Sequence, residues 1–209
     1  MKPTHDTYTQ LDKAYRHFNK TLFGNRLPLC LITLHRKKGA YGYFWGDTWS
    51  KRDGEQLTDE IALNPETFQN RSITNVLSTL VHEMCHLEQH HFGKPSRNGY
   101  HNKEWAQMME AVGLVPTDTG EIGGKQTGQR MTHTIAAGEG FDKACEKLLE
   151  NGFTIPWQAI TGDEDTARKK AASKTRYSCP GCELNAWAKP GTRLVCFECE
   201  VELLVEKSK

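Results

Sequence analysis

No stretch of the 209-residue chain approaches the ~18 consecutive apolar residues that a membrane-spanning helix requires. The opening Met-Lys-Pro-Thr-His-Asp has no apolar run of the kind that drives secretion, so the expectation is a cytoplasmic protein with no membrane partner. Excess charge is also missing. Lys and Arg number 27 against 26 Asp and Glu, a net charge of +1, so composition alone does not call for a polyanionic partner. Internal repeats and low-complexity tracts are absent, which leaves out solenoid and compositionally disordered architectures. What is present, 37% hydrophobic and 25% charged residues, suits a soluble globular protein of one ordinary domain plus a small appendage.

Hydrophobic period supplies the elements. Tyr8, Leu11, Ala14, Tyr15, Phe18 and Leu22 have helical spacing, with Thr7 and Gln10 at capping-box spacing and Gly24 and Pro28 as stops. Leu29 to Leu34, Gly39 to Trp49 and Glu60 to Leu63 read as short strands and turns. The strongest helix follows, with Ile73, Val76, Leu77, Leu80, Val81, Met84 and Leu87 on one stripe and Gly93 and Pro95 ending it. Trp105, Met108, Met109 and Val112 mark another helix. Residues 117–140 are Gly- and Thr-rich with little period, and Phe141 to Leu149 form a last amphipathic helix.

Residues 82–86 of the strongest helix read His-Glu-Met-Cys-His. Four residues is one turn, so His82 and His86 share a face and both imidazoles reach one Zn²⁺. Glu83 is rotated by about 100° per residue from His82, beside the ion and not bound to it. There it serves as general base toward a water that the metal has acidified. The competing reading is two surface histidines on an amphipathic helix. A catalytic zinc needs a third protein ligand and an open position. His101, just past the loop that ends the helix, is one choice. Glu104 and Glu110 are carboxylate alternatives. His90 lies a further turn along the helix, about 6 Å higher, too far for three successive turns to share one tetrahedral ion. His90 and His91 are therefore assigned to the surface or to the metal's surroundings.

The segment HEMCH followed by Gly99-Tyr100-His101-Asn102-Lys103-Glu104-Trp105 resembles the SprT/Spartan family of metallopeptidases. Tyr15-Arg16-His17-Phe18-Asn19 with Leu22-Phe23 and Leu27-Pro28, the run Ile61-Ala62-Leu63-Asn64, and Ala106 to Leu114 are similar to the family's opening helix, its strand before the metal helix, and its helix after the third ligand. The resemblance implies His101 as third ligand and a compact zincin-like α+β domain. It also implies proteolysis of proteins associated with or crosslinked to DNA, and so roles in DNA repair and stress response. Asn102 stands where the family usually has Gly, a mild change because Asn tolerates positive φ.

Four of the seven cysteines, Cys179, Cys182, Cys196 and Cys199, form two C-x-x-C pairs. In a reducing cell this pattern points to a closed Cys₄ structural zinc, and Trp187, Pro190-Gly191 and Leu194-Val195 between the pairs suit a hairpin, so the segment reads as a zinc ribbon. Cys30, Cys85 and Cys145 read as core residues. The stretch Arg168–Arg193 is locally basic, equally a solvated linker or a non-sequence-specific DNA contact, with Trp187 as a stacking residue. Tyr43, Trp45 and Trp49 are assigned to the core, with a cleft wall as the alternative. His133 is assigned to an ordinary loop, with a position beside the metal site as the alternative.

The expected organisation is a metallopeptidase domain over 1–160, a polar linker over 161–176 and a ribbon over 177–209. It would hold one catalytic and one structural Zn²⁺ and act on protein substrates. The competing functions are a weakly catalytic DNA-associated regulatory protein and a stress-related scaffold whose ribbon does the binding.

Overall fold

A computed structural model describes residues 2–97, 99–160 and 174–205. Helices and strands are mixed, an α+β arrangement, and the chain divides into two compact units, Met1–Ile160 and Thr161–Lys209. Of the expected linker, residues 161–173 lie outside the described residues, and Thr175 and Arg176 already belong to a strand of the second unit. Among the described residues no helix is long and apolar enough to cross a membrane.

The first unit opens with α1 (Pro3–Leu22), which starts four residues before the expected cap at Thr7. Pro3 in the first turn explains the difference: its fixed φ suits a helix start and its missing N–H would be unpaired there anyway. Thr7 is buried within the helix. The helix lays Leu11, Ala14, Tyr15 and Phe18 into the core.

Strands β1 (Leu31–Leu34), β2 (Gly42–Ser50) and β3 (Leu57–Leu63) form one sheet in the order β1-β3-β2. β3 runs parallel to β1 and antiparallel to β2, which leaves β2 at an edge. The β2–β3 register shifts between Trp45 and Trp49, and within that bulge Asp47 takes φ of 49°.

Helix α2 (Ile73–Phe92) begins where the Ser72 hydroxyl accepts from the Asn75 N–H and ends at Gly93. Leu77, Leu80, Val81, Met84 and Leu87 are almost wholly buried. Burying a side chain of this size contributes about 1.5–3 kcal/mol, so the helix is held by its packing and not by its propensity. The same helix buries His82, Glu83, Glu88 and Gln89, polar groups whose burial is costly unless something answers them. Glu88 pairs with Arg26.

Helix α3 (Lys103–Ala111) leads into β4 (Leu114–Thr117), which pairs antiparallel with β5 (Thr132–Ile135). The sequence carries no sign of β5, because four residues of Thr-His-Thr-Ile offer too short a pattern. Helix α4 (Gly140–Glu150) closes the unit against α1, with the Phe18 and Phe141 rings 5.5 Å apart.

The second unit is built of β6 (Thr175–Ser178), β7 (Asn185–Ala188), β8 (Val195–Cys196), β9 (Val201–Glu202) and β10 (Leu204–Val205). The hairpin expected between the cysteine pairs does not form. β7 pairs back with β6 and β8 pairs forward with β9, so Cys179 and Cys182 lie in the connection of the first hairpin, while Cys196 ends β8 and Cys199 lies in the turn after it. Between the hairpins the Tyr177 hydroxyl donates to the Lys189 carbonyl and accepts from the Thr192 N–H, fixing the Pro190-Gly191 turn as a crossover between two sheets.

Candidate active site and metal centres

Helix α2 puts His82 and His86 one turn apart, with ring centroids separated by 5.2 Å. The loop after α2 returns the chain so that the His101 ring lies 5.6 Å from that of His82 and 4.8 Å from that of His86. One ligand atom from each of the three falls within 4.8 Å of the others. The chain fixes His101 from its far side. Its main chain exchanges hydrogen bonds with Gly128, and its Nδ1 lies 3.1 Å from the Gly128 carbonyl. Nδ1–H therefore donates, which leaves Nε2 with its lone pair for a metal.

His82 is set in the same way by a residue that sequence reasoning assigns to an ordinary loop. His133, on β5, brings its Nδ1 to 3.2 Å from His82 Nδ1, while its Nε2 lies 2.8 Å from the Ser78 hydroxyl. Ser78 in turn donates to the Asn75 carbonyl at 3.0 Å. One consistent set of neutral tautomers satisfies this chain: His82 Nδ1–H donates to His133, His133 Nε2–H donates to Ser78, and His82 Nε2 stays free. No local sequence signal marks His133, because the β4–β5 pairing delivers it from 51 residues downstream.

Trp105, on the first turn of α3, lies under all three rings, with centroids 4.9, 5.1 and 4.3 Å from His82, His86 and His101. Asn102 caps that turn by accepting from the Trp105 N–H at 2.9 Å. Its φ is −86°, so the expected demand for positive φ at this position does not arise; Asn is there as a cap. Glu104 accepts from the Gln89 side chain and the Lys94 N–H, and Glu110 from Gln126.

Burial sets the protonation states. It pushes His86 down to about 3, helped by His101, and holds His82 well below the usual imidazole range, helped by His86, His133 and His101. Neutral imidazoles are the form that ligates, and three of them converging suit a borderline cation such as Zn²⁺. Burial raises the Glu83 carboxyl to about 8, against the pull of Lys37. A dication beside it would favour its ionised form.

The site opens into a cleft of about 1060 Å³. His82, Glu83, His86, His101 and His133 line its floor, and Tyr41, Tyr43, Trp45 and Tyr100 its walls. Trp45 is 53% exposed and Trp49 45%, which overturns their assignment to the core. Tyr43 and Trp45 belong to the cleft, while Trp49 lies beyond the bulge. Gly42 brings β2 against the active-site helix: a Cβ there would meet the Ala62 carbonyl at 2.8 Å and Glu83 Oε1 at 3.2 Å.

The model of the SprT-like family matches residues 11–127. The chain belongs to the SprT-like family. Over 110 residues it is 32% identical to protein SprT of Glaesserella parasuis, a match covering 52% of this chain and 59% of that protein. A shorter region of 59 residues is 48% identical to an uncharacterised protein encoded in the mucB 3′ region of Salmonella typhimurium, covering 28% of this chain and 80% of that protein. The matched SprT-like region contains His82, Glu83, His86 and His101. His133 and the paired cysteines lie outside it.

In the second unit of this SprT-like chain, Cys179, Cys182, Cys196 and Cys199 present sulfurs within 4.8 Å of one another. Cys182 and Cys196 are 3.6 Å apart, and the Gly181 N–H points at Cys179 Sγ at 3.4 Å. Four thiols in this geometry fit a closed tetrahedral zinc site. Part of the expected basic surface is answered locally. Arg193 pairs with Glu202 at 3.0 Å, and Arg176 lies over the Trp187 ring at 6.0 Å. Arg168, Lys169 and Lys170 fall outside the described residues. The remaining cysteines behave as core: Cys85 and Cys145 are buried, and burial pushes Cys30 up to about 12.

Proposed function

We propose that the chain is a zinc-dependent endopeptidase of SprT type with a zincin-like catalytic domain and a zinc ribbon. The observation that carries this reading is the meeting of three neutral imidazoles and one buried carboxylate at the floor of an open cleft. His82, His86 and His101 would hold the ion and leave one position open. Bound zinc supplies Lewis acidity, which lowers the pKa of water to about 7 and polarises a scissile carbonyl. Glu83 takes the proton from the attacking water and returns it to the leaving amine. Among the described residues β2 is an edge strand lining the cleft, where an extended polypeptide would add as a further strand, with its side chains against Tyr43 and Trp45.

The substrates we propose are proteins bound or crosslinked to DNA. SprT-like membership and the basic approach to the ribbon, with exposed Trp187, support this choice. The test is cleavage of DNA-binding proteins with and without single- or double-stranded DNA, comparing wild type with Glu83→Gln. Cleavage by wild type alone, increased by DNA, is the expected result. Equal cleavage by both chains would remove Glu83 from the mechanism, and indifference to DNA would remove the substrate class.

A further inference from the structure

Four metal-ligating side chains meet apart from the His82, His86, His101 set, with His90 also lining the cleft. His90 and His91 sit on the last turn of α2, Asp59 on the central strand β3, and Asp47 in the bulge of β2. His91 Nε2 lies 2.8 Å from Asp59 Oδ2. His90 Nε2 lies 3.0 Å from Asp47 Oδ2 and 3.8 Å from Asp59 Oδ1. One ligand atom each from Asp59, His90 and His91 falls within 4.8 Å of the others.

Two histidine–aspartate ion pairs would be the plain explanation, and the convergence of the side chains goes beyond it. Two carboxylates face one imidazole nitrogen, which carries at most one proton. The Asp59 side chain is only 4% exposed, and its hydrogen bond from the Asp47 N–H at 2.9 Å leaves its charge in place. Among the described residues the ion pairs of Asp47 and Asp59 are with His90 and His91 alone. A dication bound there would answer both carboxylates at once. The backbone is also shaped to the cluster. A Cβ on Gly46 would meet the His90 ring at 2.6 Å, so glycine is what admits that ring, and the next residue takes the left-handed conformation that presents Asp47.

We infer that Asp59, His90 and His91, with Asp47 completing the set, form a further binding site for a divalent transition-metal ion. Two imidazoles with carboxylates select a borderline ion, Zn²⁺ first, over the hard ions that prefer all-oxygen sites. Such an ion would pin the β2 bulge to β3 and to the last turn of α2. Because β2 ahead of the bulge carries Tyr43 and Trp45, occupancy would stiffen one wall of the cleft.

The inference stands apart from the proposed peptidase activity, and its test reads metal and not cleavage. Full-length protein stripped with chelator and dialysed against Co²⁺ is counted by elemental analysis. Asp59→Asn and, separately, the double variant His90→Gln/His91→Gln should each hold one equivalent less than wild type, whatever the wild-type total. His101→Ala, which addresses the other histidine set, should leave this equivalent in place, so that adding Asp59→Asn removes one more. Equal counts for wild type and both variants overturn the site and leave ion pairs only. Asp59→Asn keeps the size of the side chain, and the double variant keeps Asp59, so the two changes disturb packing differently. Loss of the same single equivalent in both reports the ion.

Discussion

The two units use metal ligands in opposite relation to their folds. In Met1–Ile160, residues such as Leu11, Tyr15, Phe18, Leu77, Leu80, Met84, Leu87 and Phe141 form a continuous core, and the histidines stand on a scaffold that packing already holds. Among the described residues of the second unit, the buried core is Tyr177, Cys179, Cys196 and Leu203, half of it cysteine. A core that small cannot offset the entropy of ordering its strands, so an ion held by the four cysteines would itself be structural. In the first unit metal would be an addition to a fold, and in the second a condition for one.

Chelation should break the comparison most visibly. Metal binding by such a module is worth on the order of 10 kcal/mol of folding energy, so a chelator should unfold the ribbon while the first unit stays folded. Amide spectra of full-length protein before and after metal removal check this. Persistence of the β6–β10 signals would mean that the ribbon stands without its ion.

A single atom exchange should separate scaffold from chemistry in the first unit. Glu83→Gln should lower cleavage by about 10³-fold while metal content and melting temperature hold. Leu80→Ala tests the scaffold itself: it should destabilise the first unit by about 2–5 kcal/mol and leave the ribbon transition unmoved. A shift of both transitions together would show that the units do not melt independently.

Smaller effects sharpen the picture. His133→Phe keeps a ring but removes the partner of His82 Nδ1, so zinc affinity at the histidine site should fall by about 10- to 100-fold without loss of fold. Competition with a chromogenic chelator measures it, and unchanged affinity would reduce His133 to a packing residue. Smallest should be the DNA term. Neutralising Lys169, Lys170, Lys174 and Arg176 together should flatten the slope of log affinity against log salt by about 0.9 for each phosphate no longer neutralised. An unchanged slope would take this segment out of any DNA binding.

What is legible in the sequence follows from the range of the interactions involved. Helix α2, its ends and the relation of His82, Glu83 and His86 depend on residues within a few turns, and period and spacing report such things well. The SprT-like resemblance carried by HEMCH and the His101 segment holds at the level of the family. Pairing across long separations leaves no local trace. His133 therefore reads as a loop residue, β5 is invisible, and sequence alone joins the ribbon strands to the wrong partners. Tyr43 and Trp45 read as core because composition cannot tell the inner face of a strand from the wall of a cleft. Asp59 carries no signal at all, since only the fold brings it to His90 and His91.

Trp105 has a consequence of an optical kind. Of the five tryptophans, Trp45, Trp49, Trp157 and Trp187 are exposed, and Trp105 alone is wholly buried. Its indole sits against the three imidazoles, so its short-wavelength emission is set by neighbours that change their electronic character when they take up an ion. An ion bound at the histidine site would therefore be read from Trp105, apart from the four water-exposed indoles and from the ribbon.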